Sequence, residues 1–286
     1  MTLRQAIWHV AIRRAPKGSI LTDTDTPFCK VPNPIGCWAA DPFLLERDGK
    51  LYIFAELFRL LRWKGDLGYC VYENGTFSKW HTVFSERYHV SYPHLFERKG
   101  NLYMMPETNA ISELSVYRAE AFPNRWTKDE VLIKGERIAD ATWVTEDTLI
   151  GYRMKSVPEL VELKRKEGEA GFSIVSAVAD TEDRLRPGGA VFEAAGKRYR
   201  IAQDGRERYG AAISVMEILS KDGEAYSEQE VRYLAAKDLP ITDGKRTITG
   251  IHTYNATDRF ECIDYQYQGL SLLGLWKRFW MKIRKR

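Results

Sequence analysis

In this 286-residue chain the residues best suited to chemistry stand at matching places in a repeated pattern. Asp41 and Asp140 each open a short apolar run, and Glu56 and Glu107 each close the run that follows an opening. Tyr92, His94, Arg186 and His252 stand at, or within two residues of, the opening position in other copies. Two carboxylates, an arginine and a histidine converging on one point have the composition of a polar ligand site. Such a set can take a proton from a hydroxyl and hold a phosphate or a carboxylated sugar. Asp41 precedes Pro42, and an Asp-Pro pair also suits a turn, so its role depends on the elements that carry it.

Those elements are themselves written as a repeat. Residues 40–56 return at 91–107 without a gap, at an offset of 51: a strand, a turn at Gly49 or Gly100, a second strand, and then Glu56 or Glu107. A third copy opens at Asp140, and a fourth, residues 188–203, sets Gly196 on Gly49 and Tyr199 on Tyr52. A looser fifth copy spans residues 250–265. Asn74-Gly75, between two alternating runs, is a strong hairpin signal and fills the first unit out to four strands. Successive offsets of 51, 48, 48 and 64 predict an all-β fold, a five-bladed β-propeller. The long last interval is read as an insertion that includes residues 221–245. Gln5–Arg14 is a strand suited to completing the last blade, and residues 57–64 fit either a short amphipathic helix or a blade loop. Residues 1–268 form the propeller in this reading, with 269–286 as a short C-terminal amphipathic helix.

The innermost strands of a propeller line its axis, so equivalent repeat positions meet at one mouth. Asp41, Tyr92, His94, Asp140, Arg186 and His252 fall there, with Glu56, Glu107 and Gln203 at the ends of the second strands. Asp204 follows Gln203, and Arg153, Arg206 and Arg208 occupy neighbouring blade positions as further anion-binding candidates. His9, His81 and His89 are isolated and read as surface or packing residues.

Composition narrows the class. Hydrophobic residues make up 44%, ample for a large core, and aromatics 12%, which favours strands and sugar-stacking surfaces. A formal charge of +4 is too small to point to nucleic acid. Cys29, Cys37, Cys70 and Cys262 form no C-x-x-C pair, so reduced thiols are expected, with a Cys29–Cys37 bridge as the alternative. No 18-residue apolar run occurs, and Met1–Pro16 lacks a signal-peptide core, so a cytoplasmic location is expected. The last ten residues hold six Lys or Arg and no acid, interleaved with Phe279, Trp280 and Ile283. Residues 269–286 are therefore expected to lie on an anionic membrane surface.

Asp41-Pro42, Asp140-Ala141 and His252, each at the start of an inner strand, resemble the five-bladed propeller glycoside hydrolases that include arabinanases and xylosidases. The resemblance implies Asp41 as general base, Asp140 as an orienting carboxylate and His252 beside a central water or divalent metal; no other cofactor is implied. It also implies a glutamic acid in blade four, where this chain has Arg186-Pro187-Gly188-Gly189. A guanidinium is always charged and cannot protonate a leaving oxygen, which leaves Glu107 or Asp204 as the acid. A second resemblance runs along nearly the whole chain. Trp38–Phe43, Ser91–Glu97, Met105–Thr108, Arg118–Trp126, Asp140–Thr142, Arg186–Gly189, Ala202–Asp204, Tyr209-Gly210 and Gly250–Thr253 occur in order. They resemble the propeller domain at the N-terminus of plant glucosamine inositolphosphorylceramide transferases, and similar domains occur in bacterial proteins of cell-surface glycan synthesis. In the plant proteins a separate glycosyltransferase domain lies downstream.

The expected function is transfer of a sugar from a nucleotide-sugar or lipid-linked sugar phosphate to a glycan acceptor, a polysaccharide or glycolipid precursor. Asp41 acts as base, Asp140 orients, and Arg186 with His252 faces the donor phosphate. The alternatives are a glycosidase or transglycosidase that uses Glu107 as acid, and a non-catalytic sugar-binding propeller that serves a partner transferase.

Overall fold

The computed structural model describes residues 4–165, 171–220, 224–241, 243–244 and 246–270. They form five antiparallel sheets, each the blade that one sequence repeat foretells. Blade one runs from the inner strand Cys37–Arg47 through Lys50–Arg59 and Lys64–Glu73 to an outer edge at His81–Phe84. Blade two comprises Ser91–Arg98, Asn101–Glu107, Glu113–Ala121 and Arg125–Lys134. Blade three comprises Ile138–Trp143, Thr148–Arg153, Glu159–Arg165 and Phe172–Ala179. Blade four comprises Phe192–Ala194, Lys197–Asp204, Ala212–Ile218 and Glu228–Ala235.

Blade five is built from both ends of the chain. Its inner segments Ile248–Gly250 and Tyr254–Ala256 pair with Phe260–Leu270, which pairs with Arg4–Arg14 in unbroken register from Arg4 opposite Leu270 to Arg14 opposite Phe260. Cys29–Lys30 adds the edge. The N-terminal strand thus completes the last blade and closes the ring as expected, which ties the first strand to the last without a free inner edge.

Contrary to expectation, residues 221–245 are not simply an insertion, because Glu228–Ala235 is the outer strand of blade four. The 64-residue interval is a normal blade edge followed by a longer connection. Residues 57–64 are not a helix: strand runs to Arg59, a turn spans 60–63 and strand resumes at Lys64, which is the blade loop of the two alternatives. All four cysteines are free thiols. Of the helix expected over 269–286, Gly269 and Leu270 instead end a strand and the rest lies outside the described residues; no described helix is long and apolar enough to cross a membrane.

Alternating side chains pack blade on blade. Val10 and Ile12 of blade five meet Ile53 and Leu57 of blade one. Phe54 and Leu67 meet Val90 and Met104 across the next seam, and Met105 and Leu114 meet Ile138 and Val161 across the third. Ile201 and Val215 of blade four meet Ile251 and Ile263 of blade five. None of these buried apolar clusters spans blades three and four. That seam is polar at the mouth.

The inner strands share a device that aims side chains at the axis. Each of blades one to three has a β-bulge near its start, between Ala40 and Phe43, Ser91 and His94, and Ala139 and Thr142. Within it Asp41, Tyr92 and Asp140 take left-handed φ values of 50°, 46° and 47°. A bulge leaves two residues facing one, so it rotates the side chain out of the ladder. The left-handed backbone is tolerable for Asp but strained for a bulky Tyr. Blade four meets the need differently: Gly189 has φ 153°, and a Cβ there would lie 2.0 Å from the Tyr254 carbonyl of blade five.

Candidate functional site

Five buried carboxylates crowd the axis: Asp41, Glu56, Glu107, Asp140 and Asp264. Opposite them stand two basic groups, Arg186 and His252. Buried charge must be matched or removed by protonation, so this imbalance decides the chemistry.

Asp41 is held from two neighbouring blades. Its Oδ2 accepts the Tyr92 N–H at 3.3 Å, its Oδ1 accepts the Thr253 hydroxyl at 3.0 Å, and His252 Nε2 lies 3.3 Å from Oδ1. On the other side of the imidazole, Nδ1 stands 2.7 Å from Asp264 Oδ2. Asp264 is fixed in turn by the N–H groups of Asp41, His252 and Thr253, at 2.9, 3.0 and 2.9 Å. The result is an Asp41–His252–Asp264 chain in which the histidine is flanked by two carboxylates. Burial works against the imidazolium, but Asp264 and then Asp41 outweigh it and raise the His252 pKa. Burial raises Asp41 to about 6; His252 restrains that rise while Asp140 and Asp264 add to it.

The second group is centred on Asp140. Its Oδ2 accepts from Arg186 Nε at 2.6 Å and from Gln203 Nε2 at 2.8 Å, while its Oδ1 is buried without a hydrogen bond. Arg186 Nη2 reaches Glu107 Oε2 at 3.4 Å. Burial, and then the Asp140 charge, push Glu107 up to about 8 even though Arg186 opposes the shift. Glu56 is raised well above its ordinary range by burial, and then by Asp41 and Glu107. At neutral pH Glu107, near 8, therefore carries a proton, and Asp41, near 6, is an anion. Asp41 and Glu107 are a base and an acid kept apart in pKa by their surroundings.

The mouth is aromatic. Trp8 of the ring-closing strand lies 4.2 Å from His252 between ring centroids, and Tyr209 meets the same imidazole edge-on at 5.3 Å. Tyr209 also covers the Arg186 guanidinium at 5.7 Å.

The structure brings together Asp41, Glu56, Glu107, Asp140, Arg186 and His252. Tyr92 is on the axis too, but its hydroxyl is spent on the Gly189 N–H at 2.7 Å and on Thr142 at 2.8 Å. His94 is buried against Phe43 and hydrogen-bonds the Ala141 carbonyl at 3.3 Å, with burial lowering its pKa to about 4. Asp204 turns to Arg206, its Oδ2 lying 2.6 Å from Nη2. Arg153 pairs with Glu159 and Glu136, and Arg208 with Glu207, so neither is an unmatched cation. His89, read as isolated, in fact borders the site. The Gly65 N–H donates to its Nδ1 at 3.0 Å, which places its proton on Nε2, 3.6 Å from Glu56 Oε1.

Sequence reasoning missed Asp264, Thr253, Trp8 and Tyr209 as site residues. Asp264 lies one residue before the Glu56 position of the repeat, so the register passes it by. Trp8 carried a usable signal: it lies within the strand expected to close the ring.

Asp41, His252 and Asp264 present donor atoms within 4.8 Å of one another, a spacing that could hold a cation. Both Asp264 oxygens already accept backbone N–H groups. His252 stands between the two carboxylates as their ion-pair partner, and no step below depends on a metal.

Comparison with known proteins agrees with the repeat. Residues 26–160 match the family model for glucosamine inositolphosphorylceramide transferase 1, N-terminal. Glucosamine inositolphosphorylceramide transferase 1 of Arabidopsis thaliana is 31% identical over 212 residues, 68% of this chain and 27% of that protein. The chain thus spans under a third of this relative's length. Among solved structures, the catalytic domain of the Coprinopsis cinerea GH62 α-L-arabinofuranosidase superposes with a TM-score of 0.57 at 12% identity, over 82% of this chain and 92% of that one. The GH43_1 enzyme from Xanthomonas citri, complexed with xylotriose, gives 0.52 at 12% identity, over 84% and 88%. At that identity the structures share a fold. The chain carries a propeller like the N-terminal domain of that transferase, and the relatives it matches are glycosyltransferase-related.

Proposed function

We propose that the propeller is an enzyme of glycan or glycolipid assembly that transfers a sugar at its axis. Asp41 withdraws the proton of an acceptor hydroxyl, with His252 beside it to balance the charge. Glu107 protonates the leaving oxygen, and Asp140 holds Arg186 and Gln203 in place. What carries this reading is a pair of buried axial carboxyls whose surroundings push their pKa values apart, Asp41 to about 6 and Glu107 to about 8. Glu107 supplies the acid that blade four lacks.

The donor we propose is an activated sugar phosphate, met by the edge of Arg186 that Asp140 and Glu107 leave open. The charge balance limits that role, since Arg186 and His252 each face two carboxylates. Sugar hydroxyls, rather than the phosphate, would make most of the contacts. The basic, aromatic sequence of residues 269–286 supports placing the reaction at the cytoplasmic face of an anionic membrane, where lipid-linked precursors are reached.

Hydrolysis is the second reading, favoured by the same protonated Glu107, because water in place of the acceptor needs no other group. Incubating the protein with nucleotide-sugars, with and without acceptors, and with aryl glycosides separates the two. Transfer to acceptor, abolished by Asp41→Asn, is the expected result. Release of free sugar from an aryl glycoside, abolished by the same substitution, would establish hydrolysis instead.

A further inference from the structure

Neighbouring strands of a blade run in opposite directions, so the turn between the second and third strands stands on the same face of the ring as the axial mouth. In blades one to four that turn follows Arg59, Glu107, Arg153 and Asp204. Every one of these turns holds a large apolar side chain out to solvent. Leu61 is 64% exposed and Trp63 37% in blade one, Ile111 41% in blade two, Val157 45% in blade three and Tyr209 54% in blade four. Ile35 is exposed beside the first of them, because the Leu60 N–H donates to the Gly36 carbonyl at 3.1 Å.

The opposite face is built otherwise. Its turns include Asp48-Gly49, Asn74-Gly75 and Lys99-Gly100, and of the exposed large apolar side chains among the described residues only Leu219 lies on a turn there. An exposed apolar residue taken singly needs no explanation. Its recurrence at the same turn of four successive blades does.

The tips surround a polar mouth and do not merge into one patch. A protein partner would have to be shaped to each of them, whereas a bilayer is planar and deformable and meets all of them at once. The residue types suit its interfacial layer, where tryptophan and tyrosine are enriched. Charge agrees: the four turns carry Arg62, Lys155, Arg206 and Arg208 against the single acid Glu207, which favours anionic headgroups. We infer that the mouth face of the propeller lies against an anionic lipid surface, with the tips of blades one to four in the interfacial layer and the axis open toward the headgroups. The inference rests on the membrane placement proposed above and adds which face meets the lipid; its observations come from the propeller and none from residues 269–286.

The test is flotation of the whole chain with vesicles of equimolar phosphatidylcholine and phosphatidylglycerol. Wild type is compared with Ile35→Gln/Leu61→Gln in blade one, with Ile111→Gln/Val157→Gln in blades two and three, and with Leu219→Gln on the opposite face. All these positions are exposed, so melting should be unchanged. Each mouth-face pair is expected to weaken partition into the vesicles roughly tenfold, while Leu219→Gln partitions as wild type does. Phosphatidylcholine brominated along its acyl chains should quench the fluorescence of wild type more than that of Trp63→Phe. Unchanged partition in either pair, an equal loss in Leu219→Gln, or quenching that Trp63→Phe does not reduce would overturn the inference while leaving residues 269–286 to hold the protein at the membrane. No partition of the wild type would remove the membrane placement and the inference together, and leave the sugar chemistry at the axis untouched.

Discussion

Asp41 and Tyr92 occupy the same place in blades one and two, in matching bulges and at nearly the same left-handed φ. Asp41 joins the charges on the axis. Tyr92 reaches across it, accepts the Gly189 N–H of blade four and pairs with Thr142 of blade three. The backbone device therefore selects where a side chain goes, and the residue type selects what it does there. One copy became chemistry and the other a rivet, and they meet where the Tyr92 N–H donates to Asp41. The cost of the Tyr92 backbone, on the order of 1–3 kcal/mol, is offset by those two hydroxyl contacts and by complete burial of the ring.

Substitutions should pull the two roles apart. Asp41→Asn keeps the shape and removes the base, so turnover is expected to fall by about 10²–10⁴-fold while the melting temperature stays near wild type. Tyr92→Ala should do the reverse at the level of folding, losing about 3–5 kcal/mol in urea unfolding. Tyr92→Phe leaves the Gly189 N–H unpaired and should lose roughly 1–2 kcal/mol, with turnover per folded molecule unchanged. If Tyr92→Phe abolished turnover in a fully folded protein, the division of labour would be wrong.

The third bulge residue, Asp140, belongs with Asp41. Its charge raises Glu107, so Asp140→Asn should move the alkaline limb of the activity profile, set near pH 8 by Glu107, toward lower pH. A limb that stays in place would separate Asp140 from the acid. The protonated glutamates also leave a mark on stability. Glu107 binds its proton more tightly in the folded chain than in the unfolded one, so its contribution is full below the ordinary value of 4.5 and is lost as pH rises through about 8; Glu56, also raised, acts in the same sense. Glu107→Gln should therefore raise the melting temperature by about 5 °C at pH 8 and by little at pH 4.5.

Most of the ring was legible in the sequence because a propeller is a repeat, and constant offsets carry blade spacing, strand order and axial register at once. The strand from Gln5 could be placed in the last blade because a closed ring needs one. Asp41, Glu56, Glu107, Asp140, Arg186 and His252 followed from register alone. What register could not reach is whatever the ring adds between blades. Asp264 is off the repeat position, Trp8 arrives from the far end of the chain, and Tyr209 lies on a connection. His94 shows the opposite failure: it is the first residue past a bulge, where the side chain has already turned into the core. Nor could the sequence foretell that Arg186 would be held by two acids, since that follows from the closeness of Asp140 and Glu107 in space.

The central claim is that Glu107 holds a proton at neutral pH while Asp41 does not. Carbon-13 NMR of the side-chain carboxyls, assigned with Glu107→Gln and Asp41→Asn, reads it directly. The account predicts one glutamate titrating near pH 8 that disappears in Glu107→Gln, and an aspartate near pH 6 that disappears in Asp41→Asn. A Glu107 carboxyl already ionised at pH 6 would contradict it.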